Sequence, residues 1–464
     1  MKKPDRAYRE QTPNHHAILR LYRYLAGFAL LLAGIAILPH SVKAQEGMTF
    51  DELAPKLTDA FNSDMISDLR AKLPAPGSYK IWGYDAGDFS GDGYPDCAIS
   101  IQIPGEGGKR LHVYFFVDDE GVMKNVGTET RTYLQLPIEV GVNINDGVCS
   151  VVAKKDDKRW EIISYYYRFG EFMVADSFAR DFRNPIAVER TRDFLHMEGT
   201  DRFYNFDSDS NYLLSNYLIL PCYRRGNLPY VNAQAVVSDT SSRFVVSGSY
   251  YWTGAQDCSF STQTAYDDDF LYFLVRVTDD RVITYAKSPT GNDFVDIWLD
   301  AALTHRIATE RPDSSMVFRT RADSNLFHFT IDLGNFLDKK PHIKLASSQQ
   351  FNDDQYAAMR LMKSVSRKTD AGYLVKVRIP FSVLGLDGAP VENDIASLGC
   401  TVVVHDVDNG YRPEEATEIA TSAFDPKNPT SYGELKLIPR DKRYGVEHNI
   451  YLDDIIERIG DVGF

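Results

Sequence analysis

The stretch Asp293-Phe294-Val295-Asp296-Ile297-Trp298-Leu299-Asp300 alternates aliphatic side chains with polar or aromatic ones. Successive residues of an extended chain point to opposite faces. Val295, Ile297 and Leu299 therefore line one face, and Phe294, Asp296 and Trp298 the other. This predicts a strand with one side on a core and the other carrying rings and a carboxylate. Three further stretches read as strands with polar starts: Tyr266-Asp267-Asp268-Asp269-Phe270-Leu271-Tyr272-Phe273, Gly372-Tyr373-Leu374-Val375-Lys376-Val377-Arg378-Ile379-Pro380 and Tyr432-Gly433-Glu434-Leu435-Lys436-Leu437. The Asp267-Asp268-Asp269 run suits a strand cap, with a share in structural calcium as the other reading. Strands dominate from about 236 to 439, with a helix expected around Asp353 to Lys363.

The 464 residues are enough for two or three domains. A hydrophobic share of 44% marks a globular chain, and an aromatic share of 12% favours sheet. Residues 49–73 read as helix: Thr49-x-x-Glu52 is a capping box, and Leu53, Leu57, Phe61, Met65 and Leu69 make one apolar face. Pro55 argues that the regular part starts a few residues late. From about 78 to 182, alternating runs such as Ala98-Ile99-Ser100-Ile101-Gln102-Ile103 predict strands. The chain is thus expected to be mainly β, with an N-terminal helix plus β-sheet domain over 45–182 and an antiparallel β-sandwich over 236–439. Residues 183–235, rich in Tyr and Asn, read as a connector. In the tail, 440–464, Leu452, Ile455, Ile456 and Ile459 form a short amphipathic helix that packs on its own domain or docks a protein partner.

The N-terminus reads as a targeting segment. Lys2, Lys3, Arg6, Arg9, Arg20 and Arg23 precede an apolar run from Leu25 to Leu38, and Val42-Lys43-Ala44 fits a cleavage site. The run is short for a membrane span, so residues 1–44 are expected to be a signal peptide that leaves no stable span after cleavage. The chain would then be extracytoplasmic: secreted, periplasmic or on the cell surface. Removing residues 1–44 takes the formal charge from −14 to −19. Such acidity repels nucleic acid and anionic lipid, and it suits calcium. The cysteines Cys97, Cys149, Cys222, Cys258 and Cys400 are odd in number, which leaves at least one thiol unpaired in an oxidising compartment. Cys97 and Cys149 are the first candidate pair. No C-x-x-C supports zinc or thioredoxin chemistry.

Gly87-Asp88-Phe89-Ser90-Gly91-Asp92-Gly93-Tyr94-Pro95-Asp96 is the sharpest local motif. Asp88, Ser90, Asp92 and Asp96 present four oxygen side chains, and the Tyr94 carbonyl can supply a fifth. Gly93 permits the sharp turn that wraps a cation. Ile99 stands where an EF-hand needs its bidentate Glu. The loop instead resembles those of FG-GAP and VCBS repeats, which lead into a strand and whose Asp residues bind calcium. It occurs once, so no propeller is expected. Asp207-x-Asp209-x-Asn211 and Asp406-x-Asp408-Asn409-Gly410 are weaker echoes and read as solvated turns.

The C-terminal region resembles family 9 carbohydrate-binding modules and their DOMON-like relatives. The landmarks are Trp252, the Asp-rich approach to Leu271-Tyr272, Asp279-Asp280, the Asp293 to Asp300 strand, Phe318-Arg319, Ile379-Pro380, His405-Asp406-x-Asp408 and Gly433-Glu434-Leu435. The resemblance implies an antiparallel sandwich that binds a sugar chain end without catalysis, by two Trp rings with Arg and amide groups. Arg319 falls on the family Arg. Thr290-Gly291 stands at the first ring and Phe424 near the second. Binding would therefore rest on Arg319, Phe424 and Trp298, with a polysaccharide or glycan as partner and calcium as a structural cofactor.

No H-E-x-x-H, G-x-S-x-G, Walker A or G-x-G-x-x-G stretch is present, and no carboxylate pair stands out among the 65 acidic residues, so no enzyme is expected. Two other functions fit the same resemblance. One is a surface-assembly module without sugar binding. The other is a DOMON-like haem protein, for which nothing in the sequence pairs Met316, Met359 and Met362.

Overall fold

A computed structural model describes residues 47–439, apart from short stretches of which the longest are 104–109, 207–211, 225–235, 238–243, 302–307, 311–315, 319–324 and 391–396. The expected signal segment and the tail helix lie outside the described residues. The chain is mainly β, as its alternating patterns predict.

Helices α1 (Phe50–Leu57) and α2 (Ser63–Lys72) stand where one helix is expected. The Thr49–Glu52 capping box forms, so α1 begins at Phe50 rather than late, with Pro55 inside it and its end two residues on. Asn62 restarts the helix by accepting from Asp64 and Met65 N–H, both at 3.0 Å. The two helices bury Leu53, Leu57, Phe61, Met65 and Leu69 against one face of an antiparallel sheet. That sheet has the order β1 (Lys80–Gly87), β2 (Asp96–Gln102), β3 (Arg110–Asp119), β4 (Val122–Thr132). Its other face, with Trp82, Ala98, Val113 and Phe115, packs on the next layer.

That layer is an antiparallel meander: β5 (Glu139–Asn145), β6 (Val148–Lys154), β7 (Arg159–Arg168), β8 (Glu171–Arg183), β9 (Ile186–Asp193), β10 (Glu198–Asn205) and β11 (Tyr212–Arg224). Three of these strands occupy the stretch read as a connector. Segments such as Ile186-Ala187-Val188-Glu189-Arg190-Thr191-Arg192-Asp193 carry polar side chains on both faces, so they lack the period that betrays a half-buried strand. Ladder pairing and cross-strand partners hold them instead. In β10, Gly199 lies under the Tyr217 ring of β11, where a Cβ would come within 2.1 Å of Cε2. The Tyr217 hydroxyl donates to Asp201 Oδ1 at 3.1 Å, so the ring cannot swing away. Gly199→Ala is expected to cost ~1–3 kcal/mol through overpacking, read as a lower urea midpoint; an unchanged midpoint would mean that the ring is free.

Strand β11 continues into the C-terminal sandwich. Its last residues pair in parallel with β25 (Glu434–Ile438) and with β14 (Cys258–Tyr266). From β14 one wing runs through β15 (Phe270–Asp279) and β22 (Gly372–Pro380) to β21 (Lys363–Thr369). From β25 the other runs through β23 (Ser397–Asp406), β16 (Phe294–Asp300) and β19 (Leu326–Asp332) to β20 (His342–Ser347). Strand β24 (Thr417–Ala420) pairs with β23 and with β13 (Val245–Ser247). The short strands Val236–Val237, Ala308–Glu310 and Met316–Phe318 complete the set of described strands. The wings close on one core, with Val295, Ile297 and Leu299 facing side chains such as Phe273, Val375 and Val377. Helix α3 (Asp353–Met359), capped by Asn352 with Gln355, covers part of that core through Ala358, and Met359 and Met362 pack against it.

All five cysteines are buried free thiols. Cys97 belongs to the helix–sheet core and Cys149 to the core between the two sheets, so the expected pair does not form. Alternation along β2 decides this, because it turns Cys97 toward the helices.

Candidate functional site

The outer face of the second wing collects the predicted ring residues. Trp298 in β16 stands opposite His328 in β19, and the two rings stack at 3.6 Å between centroids and 9° between planes. On its other side are Phe424, at 5.3 Å, and Tyr432, at 6.2 Å. The structure thus brings Trp298 and Phe424 together, but Trp298 is half-buried and its plane is covered by His328 rather than lying open. Rings that stand side by side on a sheet present their edges outward. Arg319 lies outside the described residues.

Next along β16 on this face is Asp296. Its Oδ2 lies 2.9 Å from His328 Nε2, while its buried Oδ1 has no hydrogen-bond partner. One more alternation leads to Phe294, which stacks on His405 at 4.3 Å. His405 Nδ1 is 3.3 Å from Glu418 Oε1, and its Nε2 is 3.4 Å from the Thr290 carbonyl oxygen. Trp298 and Phe294 are four strand residues apart, so the face spans about 13 Å, several hydroxyl-bearing units of an extended polymer. Its polar groups are fixed by the sheet and its rings by mutual packing, so the face is a rigid strip of mixed polar and aromatic groups.

The face runs into a loop end. Here Thr290, expected to replace a stacking ring, is exposed, and the neighbouring loops carry rings that the sequence reading did not single out. Tyr285 is 74% exposed and Tyr411 96%. A Cβ on Gly410 would lie 2.9 Å from Ala286 Cβ, so the two loops touch. The available signal is local: each tyrosine adjoins a turn, and Asn409 Oδ1 accepts from Tyr411 N–H at 3.1 Å. Tyr250 and Tyr251 meet edge to face at 5.4 Å on a third loop.

Below these loops, Asp406 is buried at the end of β23, so Asp406-x-Asp408 is no solvated turn. Burial, then repulsion from Asp279 and Asp408, pushes the Asp406 carboxyl up to about 9. Burial likewise lifts Asp279 to about 6 and Asp293 well above the carboxylate range. Asp267 takes the cap role expected of its run: its carboxylate accepts from Asp269 N–H, Phe270 N–H and the Tyr272 hydroxyl. Asp268 pairs with Arg224.

In the N-terminal loop, Asp88 accepts from Gly91 and Gly93 N–H at 2.6 and 2.9 Å, and Asp92 accepts from Tyr94 N–H at 2.8 Å. Asp96 is fully buried and takes Phe89, Ser90 and Asp118 N–H groups. Burial raises its pKa, which these bonds oppose. Gly91 and Gly93, at φ +80° and +91°, let the chain coil round Asp88. Carboxylate oxygens have about two acceptor sites each, so Asp88 and Asp92 keep lone pairs for a hard cation, and the ligand types fit calcium.

Residues 235–440 match the family model described as "Carbohydrate family 9 binding domain-like". This part of the chain is therefore a domain like the family 9 carbohydrate-binding modules. Among solved structures, a family 9 module from Caldicellulosiruptor kristjanssonii in complex with cellotriose is 16% identical over 48% of this chain and 94% of its own, with a TM-score of 0.30. The same organism's module in complex with glucose is 16% identical over 47% and 96%, at 0.29. A putative carbohydrate-binding protein from Bacteroides uniformis is 10% identical over 39% and 79%, at 0.25. No curated protein matches the chain.

Proposed function

We propose that the chain is an exported, non-catalytic carbohydrate-binding protein. The family match over 235–440 carries this reading. The signal-like segment over 1–44 supports export. The glycan would lie along the outer face of β16, with the Trp298–Phe424 cluster at one end and Tyr285 and Tyr411 near Thr290 at the other. Arg319, which falls on the family Arg in the sequence pattern, would contact the sugar as well. Retention of the purified chain on a panel of insoluble polysaccharides tests this. A folded protein that no polysaccharide retains would defeat the glycan reading and favour a surface-assembly module. Sugar released in proportion to added protein would overturn the non-catalytic part.

The N-terminal loop would hold one calcium through Asp88, Ser90, Asp92, Asp96 and the Tyr94 carbonyl, stiffening the β1–β2 turn. Equilibrium dialysis against calcium is expected to show one equivalent fewer in Asp92→Ala than in the wild type. Equal stoichiometry would remove calcium from this loop.

A further inference from the structure

We propose that His328 is a pH-dependent gate over Trp298: the neutral imidazole gives way to a sugar ring on the indole plane, and the protonated one keeps that plane covered. The proposal rests on the glycan reading of the β16 face and adds its regulation.

Trp298 and His328 are direct cross-strand partners, so both side chains rise from the same sheet face. The rings stack at 3.6 Å, and Phe424 and Tyr432 close the other side of the indole. The C–H face of a sugar packs on an aromatic plane much as another ring does. Ligand and His328 therefore compete for one indole face. His328 is free to yield it, because its side chain is 27% exposed. His405 stacks on Phe294 at 4.3 Å and lies 3.3 Å from Glu418, a second unit of the same kind. Its side chain is only 11% exposed and its Nε2 faces the Thr290 carbonyl, so it is held where His328 can swing.

His328 Nε2 lies 2.9 Å from Asp296 Oδ2 and 3.2 Å from Thr330 Oγ1. A proton on Nε2 can be donated to the carboxylate whether or not the ring is charged, so the contact orients the imidazole in both states. Taking up the second proton places a cation between the Asp296 carboxylate and the indole π face, and both attract it. The neutral ring has stacking and one hydrogen bond alone. Other charged groups stand on the same face. The register puts Asp300 one alternation past Trp298 on β16 and Lys344 opposite Thr330 on β20. Asp332, one alternation past Thr330, takes Lys339 Nζ at 3.1 Å and lies 3.7 Å from His342 Nδ1. On β23 the partners of Trp298 and Asp296 are Thr401 and Val403, which carry no charge. By residue type, only the histidines change charge between about pH 5 and 8, and His342 is two rows away from the indole.

Intrinsic fluorescence of the full chain tests the gate without a ligand. An imidazolium stacked on an indole quenches it, so emission is expected to fall from about pH 8 to about pH 5. His328→Gln keeps a donor for Asp296 but does not titrate, and it is expected to remove most of that fall; a fall of the same size in the variant overturns the gate. Binding is then read on whichever polysaccharide retains the chain. Wild-type retention is expected to weaken roughly fivefold over the same range, the size of a cation–π contact at a partly exposed site, while His328→Gln is retained equally at both ends. Asp296→Asn takes away the carboxylate beside the imidazolium and is expected to shrink the weakening. The same weakening in wild type and both variants overturns the gate. Wild-type retention that ignores pH overturns the gate alone, whereas retention on no polysaccharide at either pH removes it together with the glycan reading.

Discussion

Glu434→Ala is expected to cost the fold ~3–5 kcal/mol. Glu434 is fully buried at the start of β25, and its Oε2 accepts from Arg192 Nε of β9 at 2.7 Å. Its other oxygen accepts from the Ser397 hydroxyl at 2.6 Å. Burial disfavours the Arg192 guanidinium, but Glu434, with Tyr217 and Asp201 behind it, more than offsets this and holds Arg192 above its ordinary pKa. Removing Glu434 strands a buried cation, the costly half of a buried ion pair. The pair joins the meander to the sandwich, so the loss should appear as a lower urea midpoint for both layers. The double variant Arg192→Met/Glu434→Leu is expected to recover most of it, since a buried pair exchanged for apolar groups is often neutral. A midpoint shift under ~1 kcal/mol for Glu434→Ala would place the pair in the range of exposed ones.

Trp298→Ala is expected to weaken retention on whichever polysaccharide binds by roughly 30-fold, about 2 kcal/mol, as for an aromatic anchor. Trp298 holds His328 and Phe424 in place, so its loss removes three rings from the face. The side chain lies outside the sandwich core, whose Val295, Ile297 and Leu299 point the other way, so the fold should persist. Tyr411→Ala is the cleaner companion: the ring is almost wholly exposed and its removal disturbs no packing. If both variants bind as the wild type does, with unchanged melting curves, the outer face of β16 is not the site.

Much of this was legible in the chain itself. Alternation in Asp293–Asp300 showed which of its side chains face the core, because a strand has no choice but to point neighbours apart. The same rule failed for β9 and β10, where both faces are polar and no period exists to read. Thr49–Glu52 capped its helix as its spacing implies, since caps act within one turn.

The sequence alone therefore determined the mainly β character, the β16 faces, the Thr49–Glu52 cap and the N-terminal turn, all of which depend on contacts between near neighbours. Tertiary structure decided the rest. It covered Trp298 with His328, thirty positions on in the chain. It put Cys97 and Cys149 in different cores. It also turned scattered aspartates at 257, 279, 280, 293, 406 and 408 into two converging triads. Burial and convergence belong to strands brought side by side by a shared core, and spacing along the chain carries no record of them.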